Sequence, residues 1–123
     1  MISTPELQID KIIHPNGVPA RLKVERRIVF ALIEHLQNAG FEIDSIDDTD
    51  DETFVHNSAG DAMELIFDLD YALLYFKNKA GEFHWVSLNM GEGTYMISDW
   101  SYARDDADGF GAAMDKFNTE DYA

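Results

Sequence analysis

One long run of helical spacing, closed by a glycine and followed by short alternating segments, decides most of what this chain can fold into. Leu22, Val29, Leu32, Ile33 and Leu36 recur at helical spacing between Ala20 and Ala39, with Ile28 beside them. Pro19 suits the first turn of such a helix, and Gly40 suits the left-handed residue just past its end. The spacing predicts a helix over 20–39. Beyond Gly40 the period changes. Phe41-Glu42-Ile43-Asp44-Ser45-Ile46 opens in strict alternation and reads as a strand. The acidic run 47–52 reads as a solvated turn, and Thr53-Phe54-Val55-His56 returns as the partner strand. Ser58, three residues before Asp61, makes a capping-box-like start for a short helix over 59–67.

Ala72-Leu73-Leu74-Tyr75-Phe76 is short, apolar and aromatic, as a strand requires. Phe83 to Leu88 and Thr94 to Trp100 follow it, joined by short turns containing Gly81, Gly91 and Gly93, so the three segments form an antiparallel meander. From Asp105 to Phe117 a tail helix would place Phe110, Ala113, Met114 and Phe117 on one face. Gly109 and Gly111 weaken it by up to about 1 kcal/mol each relative to alanine. The order α-β-β-α-β-β-β-(α) predicts an α+β fold: an antiparallel sheet of about five strands, a hairpin plus a three-strand meander, covered on one face by helices.

With 123 residues, 46% of them apolar, the chain suits a single domain spanning 1–123. Residues 1–17 are expected to be partly irregular, and 103–123 to form an acidic tail or short helix. Cysteine is absent, which excludes disulfides, thiolate nucleophiles and Cys-ligated zinc. No apolar run approaches the length of a membrane helix, and the first residues lack the basic and apolar regions of a secretory signal. These features predict a cytoplasmic protein.

The segment Gly91-Glu92-Gly93-Thr94-Tyr95-Met96-Ile97-Ser98-Asp99-Trp100 resembles the last strand of a group of small bacterial proteins often carried on phages and plasmids, in which that strand ends in Ile-Ser-Asp followed by an aromatic. The resemblance extends over residues 24–101. It implies the same order of elements and a mobile-element setting, and it carries no active site across.

Charge is unevenly distributed. The 9 Lys and Arg face 24 Asp and Glu, for a formal net charge of −15. Residues 1–40 hold five bases (Lys11, Arg21, Lys23, Arg26, Arg27) against four acids, so the whole of the negative excess lies after Gly40. The cluster at the front of the first helix opposes the helix dipole and calls for acidic neighbours in the fold or a ligand. A surface of this sign repels nucleic acid and anionic lipid and attracts basic proteins.

Specific chemistry is sparse. Asp48, Asp50 and Glu52 alternate as in a calcium loop, yet positions six and twelve of that loop would be Thr53 and Ala59 in place of the required glycine and bidentate acid. None of His14, His35, His56 and His84 falls in a metal spacing, so no metal or cofactor is expected. Asp99, ending a strand among aromatics, suits a general base if buried, or a carboxylate that accepts backbone N–H bonds and fixes the turn before the tail. Tyr95, Trp85 and Trp100 alternate with polar residues and serve either core packing or an exposed aromatic strip.

The charge favours a non-enzymatic protein that binds a basic protein partner, as a mobile-element inhibitor presenting carboxylates in place of DNA phosphates or as an immunity-like cover for a toxin. The candidate contacts are Asp44, Asp47, Asp48, Asp50, Asp51 and Glu52 of the first hairpin, with Asp105, Asp106 and Asp108 of the tail. A small enzyme or ligand binder with a pocket around His56, His84, Asp99 and Trp100 is the alternative. A further one is an accessory domain whose acidity serves solubility alone. An open edge strand would also support a homodimer.

Overall fold

The computed structural model describes residues 20–48, 51–55, 57–102 and 105–122, with side chains from Lys23 onward. The head segment 1–17, Asp50 and His56 lie outside the described residues. The elements run α1 (Ala20–Asn38), β1 (Glu42–Asp47), β2 (Glu52–Phe54), α2 (Ala59–Ile66), β3 (Tyr71–Lys77), β4 (Phe83–Asn89), β5 (Ile97–Trp100) and α3 (Phe110–Lys116). Every strand pair is antiparallel, in the order β2-β1-β3-β4-β5. The fold is α+β.

The topology follows from connection lengths. β1 turns tightly into β2, and β3 into β4. β2 and β3 both lie antiparallel to β1 on its two sides, so they run the same way and need a crossover, which α2 supplies. Along β3 burial alternates strictly, with Ala72, Leu74 and Phe76 buried and Tyr71, Leu73, Tyr75 and Lys77 half-buried. Pairing carries this division across the sheet. Ile43 faces Phe76, Leu74 faces Val86, and Ala72 faces Leu88, forming the inner face. Ile28, Val29, Leu32, Ile33 and Leu36 of α1, Ala62, Met63 and Ile66 of α2, and Phe110, Ala113 and Met114 of α3 belong to the same core. Among the described residues, the helices therefore cover one face of the sheet and none covers the other, the uncovered face.

α1 ends as its sequence predicts. Gly40 has φ 99°, its N–H donates to the Gln37 carbonyl at 3.0 Å, and the Phe41 N–H donates to the Leu36 carbonyl at 2.8 Å. This is a Schellman closure, with buried Leu36 and Phe41 as its apolar pair. A Cβ at Gly40 would meet nothing within 4 Å, so any penalty there is one of φ alone. Gly40→Val is expected to cost more than about 1 kcal/mol in urea unfolding, and an unchanged midpoint would contradict this cap. At α2, Ser58 caps as expected, its Oγ accepting from the Asp61 N–H at 3.1 Å.

Two segments depart from the alternation pattern. Residues 94–96 do not extend the last strand: Gly93–Tyr95 form a single 3₁₀ turn, and β5 begins only at Ile97. Gly91 and Gly93, both at positive φ, let that loop bend onto α1, where their N–H groups donate to Glu25. The tail helix is also shorter than predicted. Its two glycines take on specific roles: Gly109 adopts φ 79° at the start of α3, and Gly111 leaves room for the Asp106 carboxylate. That carboxylate accepts from the Gly111 and Ala112 N–H groups at 2.7 and 3.0 Å and caps the helix.

Candidate functional site

The uncovered face is built row by row from the strand register. Phe54, Ser45, Tyr75 and Trp85 stand in one cross-strand row, with Ser45 small enough to lie between two rings. The next row holds Glu52, Asp47, Leu73, Ser87 and Asp99. Lys77 sits opposite both Glu42 and Phe83 beyond the first row, and Tyr71 pairs with Asn89 beyond the second. Ser87 Oγ donates to Tyr71 Oη at 3.3 Å, and a bulge at Ser98 brings its Oγ within 2.8 Å of Ser87 Oγ. The face thus has an aromatic centre with a hydroxyl patch beside it. Phe54 is 57% exposed and Phe83 59%.

Its perimeter is negative. Glu42, Asp44, Asp47, Glu52 and Asp99 surround the aromatics, against Lys77, whose Nζ lies 3.7 Å from Asp44 Oδ1. A bulge makes Asp44 the extra residue of β1. Asp47 and Glu52 are direct cross-strand partners, an arrangement of like charges that destabilises a sheet. Their field reaches the aromatic row: the Tyr75 phenol is pushed above its usual 10.0 by burial first, then by Asp47, Glu52 and Tyr71. Neutralising both acids in Asp47→Asn/Glu52→Gln is expected to lower the Tyr75 pKa, read from tyrosinate absorbance. An unmoved titration would place the charges away from the ring.

The other sequence candidates go elsewhere. Asp48 and Asp51 close the β1–β2 turn, with the Asp51 N–H donating to Asp48 Oδ1 at 2.8 Å. Asp105 accepts from the Ala107 N–H, and Asp106 caps α3. Asp99 accepts the Trp100 N–H at 2.8 Å and stands on the uncovered face. His84 projects from the inner face, so the sheet separates these two and they share no pocket. Trp100 faces inward opposite Val86, and Tyr95 is 80% exposed in the 3₁₀ turn, so the alternating aromatics do not form one strip. Phe54, Tyr75 and Tyr71 take that role with Trp85. Among the described residues, no group of three His, Asp or Glu is placed to hold a metal. Nor is any helix among them long and apolar enough to cross a membrane.

His84 belongs to a buried relay that sequence spacing did not reveal. The ring, 7% exposed, stacks on Phe110 at 4.2 Å and meets Phe41 edge-on at 5.6 Å. Nε2 lies 2.5 Å from Asp108 Oδ2, and Nδ1 lies 3.2 Å from Ser101 Oγ. An ionised Asp108 can only accept, which puts the proton on Nε2 and lets Nδ1 accept from the Ser101 hydroxyl. Burial would raise the Asp108 pKa, but hydrogen bonds from His84, Asn78 and the Phe110 N–H prevail and hold it below its ordinary 3.8. The adjoining cleft, about 360 Å³, is lined by Glu82, Asp105 and Asp108. Carboxylate walls oppose the oxyanion a serine nucleophile would generate, and Ser101 Oγ already accepts the Trp85 N–H at 3.1 Å. The relay therefore ties the tail to the sheet.

Because the folded pKa of Asp108 is depressed, its contribution is complete above its unfolded value and fades as pH falls through the folded one. Asp108→Asn is expected to flatten the decline of stability below about pH 4 in acid unfolding. A decline as steep as in the parent would show that other carboxylates govern it.

Comparison of the chain with protein-family models, with curated proteins and with solved structures yields no match.

Proposed function

We propose that this protein acts by binding a basic protein through the uncovered face of its sheet. The observation that carries the reading is the matched Asp47–Glu52 pair beside the Phe54–Tyr75–Trp85 row. Two carboxylates held opposite each other, next to the exposed Phe54 ring and the half-buried Tyr75 and Trp85, suit a surface that presents negative charge to a partner's lysine or arginine. The rings supply apolar and cation–π contact area, and the perimeter acids select the sign of the partner. A second copy of the chain fits poorly, since each carries a net charge of −15. The mobile-element resemblance fits an inhibitor or immunity-like protein, with Asp44, Asp47, Glu52 and Asp99 taking the place of phosphates.

The test is affinity capture from a nuclease-treated bacterial extract at about 50 mM and then about 500 mM salt, conditions that differ severalfold in screening length. The expected result is a basic protein retained by the parent at low salt, released at high salt, and missed by Asp47→Asn/Glu52→Gln/Asp99→Asn. Equal retention by parent and variant would overturn the reading.

A further inference from the structure

Among the described residues, the uncovered face ends at β2, the last strand at this side of the sheet, whose three residues are all exposed. Beside it runs a groove of about 790 Å³ between β2 and α2, lined by Thr53, Phe54 and Val55 on one side and by Leu65 and Phe67 on the other. Buried Arg26 also lines it, with its guanidinium carbon 4.6 Å from the Phe67 ring centroid. Its outer rim is Asp61, Glu64 and Asp68, all exposed. An edge strand that keeps an aromatic ring exposed and borders an acid-rimmed groove has the features of a strand-addition site.

We propose that β2 accepts an extended basic segment of the partner as an added strand, whose alternate lysine or arginine side chains lie over the groove toward Asp61, Glu64 and Asp68. The proposal deepens the binding reading above and rests on it. The acids follow one another beside β2: Asp61 and Glu64 lie about 4.5 Å apart along the axis of α2, and Asp68 stands two residues past its end. Side chains of one parity then meet the carboxylate rim, with their aliphatic stems on Leu65 and Phe67. Those of the other parity lie beside Phe54 on the uncovered face. Charge selects the occupant. A strand from another copy would bring Glu52 and its acidic neighbours toward the same rim, whereas a basic strand neutralises it.

The probe is a capped peptide alternating lysine and valine, titrated into the full chain and followed by amide exchange and by backbone NMR shifts. A second peptide of identical charge carries N-methyl groups on the alternate amides that would bond to β2. The expected result is slowed exchange at Glu52–Phe54, shifts reaching Leu65 and Phe67, and binding at least about tenfold weaker for the methylated peptide. Asp61→Asn/Glu64→Gln/Asp68→Asn, all surface changes, is expected to weaken the first peptide by about tenfold. Equal binding of the two peptides would overturn strand addition while leaving a charge-led face in place. Binding by neither would overturn the inference, and loss of salt-sensitive capture would separately overturn the function it rests on. Full affinity in the triple variant would overturn the groove as the seat of the basic side chains.

Discussion

Glu25→Ala is expected to lower the free energy of unfolding by about 3 kcal/mol, from the loss of a carboxylate that holds two N–H donors at about 1.5–3 kcal/mol each, with partial relief by water. Glu25 is 2% exposed, and its two oxygens accept from the Gly91 N–H at 3.0 and 2.9 Å and from the Gly93 N–H at 2.7 Å. These bonds fold the β4–β5 loop against α1 and deliver buried Met96 to the core. Alanine removes the acceptor from both donors, of which exposed Gly91 can turn to water and half-buried Gly93 less readily. Glu25→Gln keeps one acceptor oxygen and is expected to lose about half as much. Urea unfolding of both variants checks the ordering. A loss under about 1 kcal/mol for alanine would mean that the loop satisfies itself without the helix.

The second large effect is expected at His84, where replacement by alanine costs about 3 kcal/mol through the lost ring and the lost hydrogen bonds to Asp108 and Ser101. The ring packs between Phe110 and Phe41 and joins the tail to β4 through Asp108 and Ser101. Amide exchange in α3 is therefore expected to accelerate more than exchange in α2. His84→Phe retains the packing without the hydrogen bonds, and is expected to recover roughly half of the loss. Equal acceleration in both helices would show that His84 supports the core as a whole rather than anchoring the tail.

The contrast between these two residues and the main elements shows what linear pattern can carry. Periodicity reports which residues share a face, so α1, both hairpins and α2 were legible, as were Gly40 and Ser58, whose caps are local motifs. Glu25 and His84 gave no such signal, because their partners lie 66 to 68 and 17 to 24 residues away in sequence. The bend at 93–95 was missed for the same reason, since the acceptor that holds it is on α1. Gly111 read as a weakness in a helix whose cap, Asp106, forms only in three dimensions. At the front of α1, Arg27 donates to the Tyr122 carbonyl at 3.3 Å, a backbone partner where the sequence calls for an acidic neighbour.

The candidate face was legible in part. Asp44, Asp47 and Glu52 were identifiable from charge, and Asp99 from its place at a strand end. Their common position around Phe54, Tyr75 and Trp85 emerged only from the pairing register. Asp106 and Asp108 looked equivalent to them in sequence, yet these two lie away from that face and are bound to α3, Asn78 and His84. An acidic count therefore overstates the proposed binding surface, and the register selects the carboxylates that stand on the uncovered face.

The chain holds two tryptophans, Trp85 and Trp100, which permits a direct test of that face. Fluorotryptophan incorporated into Trp100→Phe leaves Trp85 as a single fluorine NMR probe in the aromatic row. Binding of the captured basic protein through the uncovered face should shift and broaden this signal at low salt, with the free signal returning at high salt. A signal that stays unchanged while the complex forms would place the partner elsewhere and contradict the account.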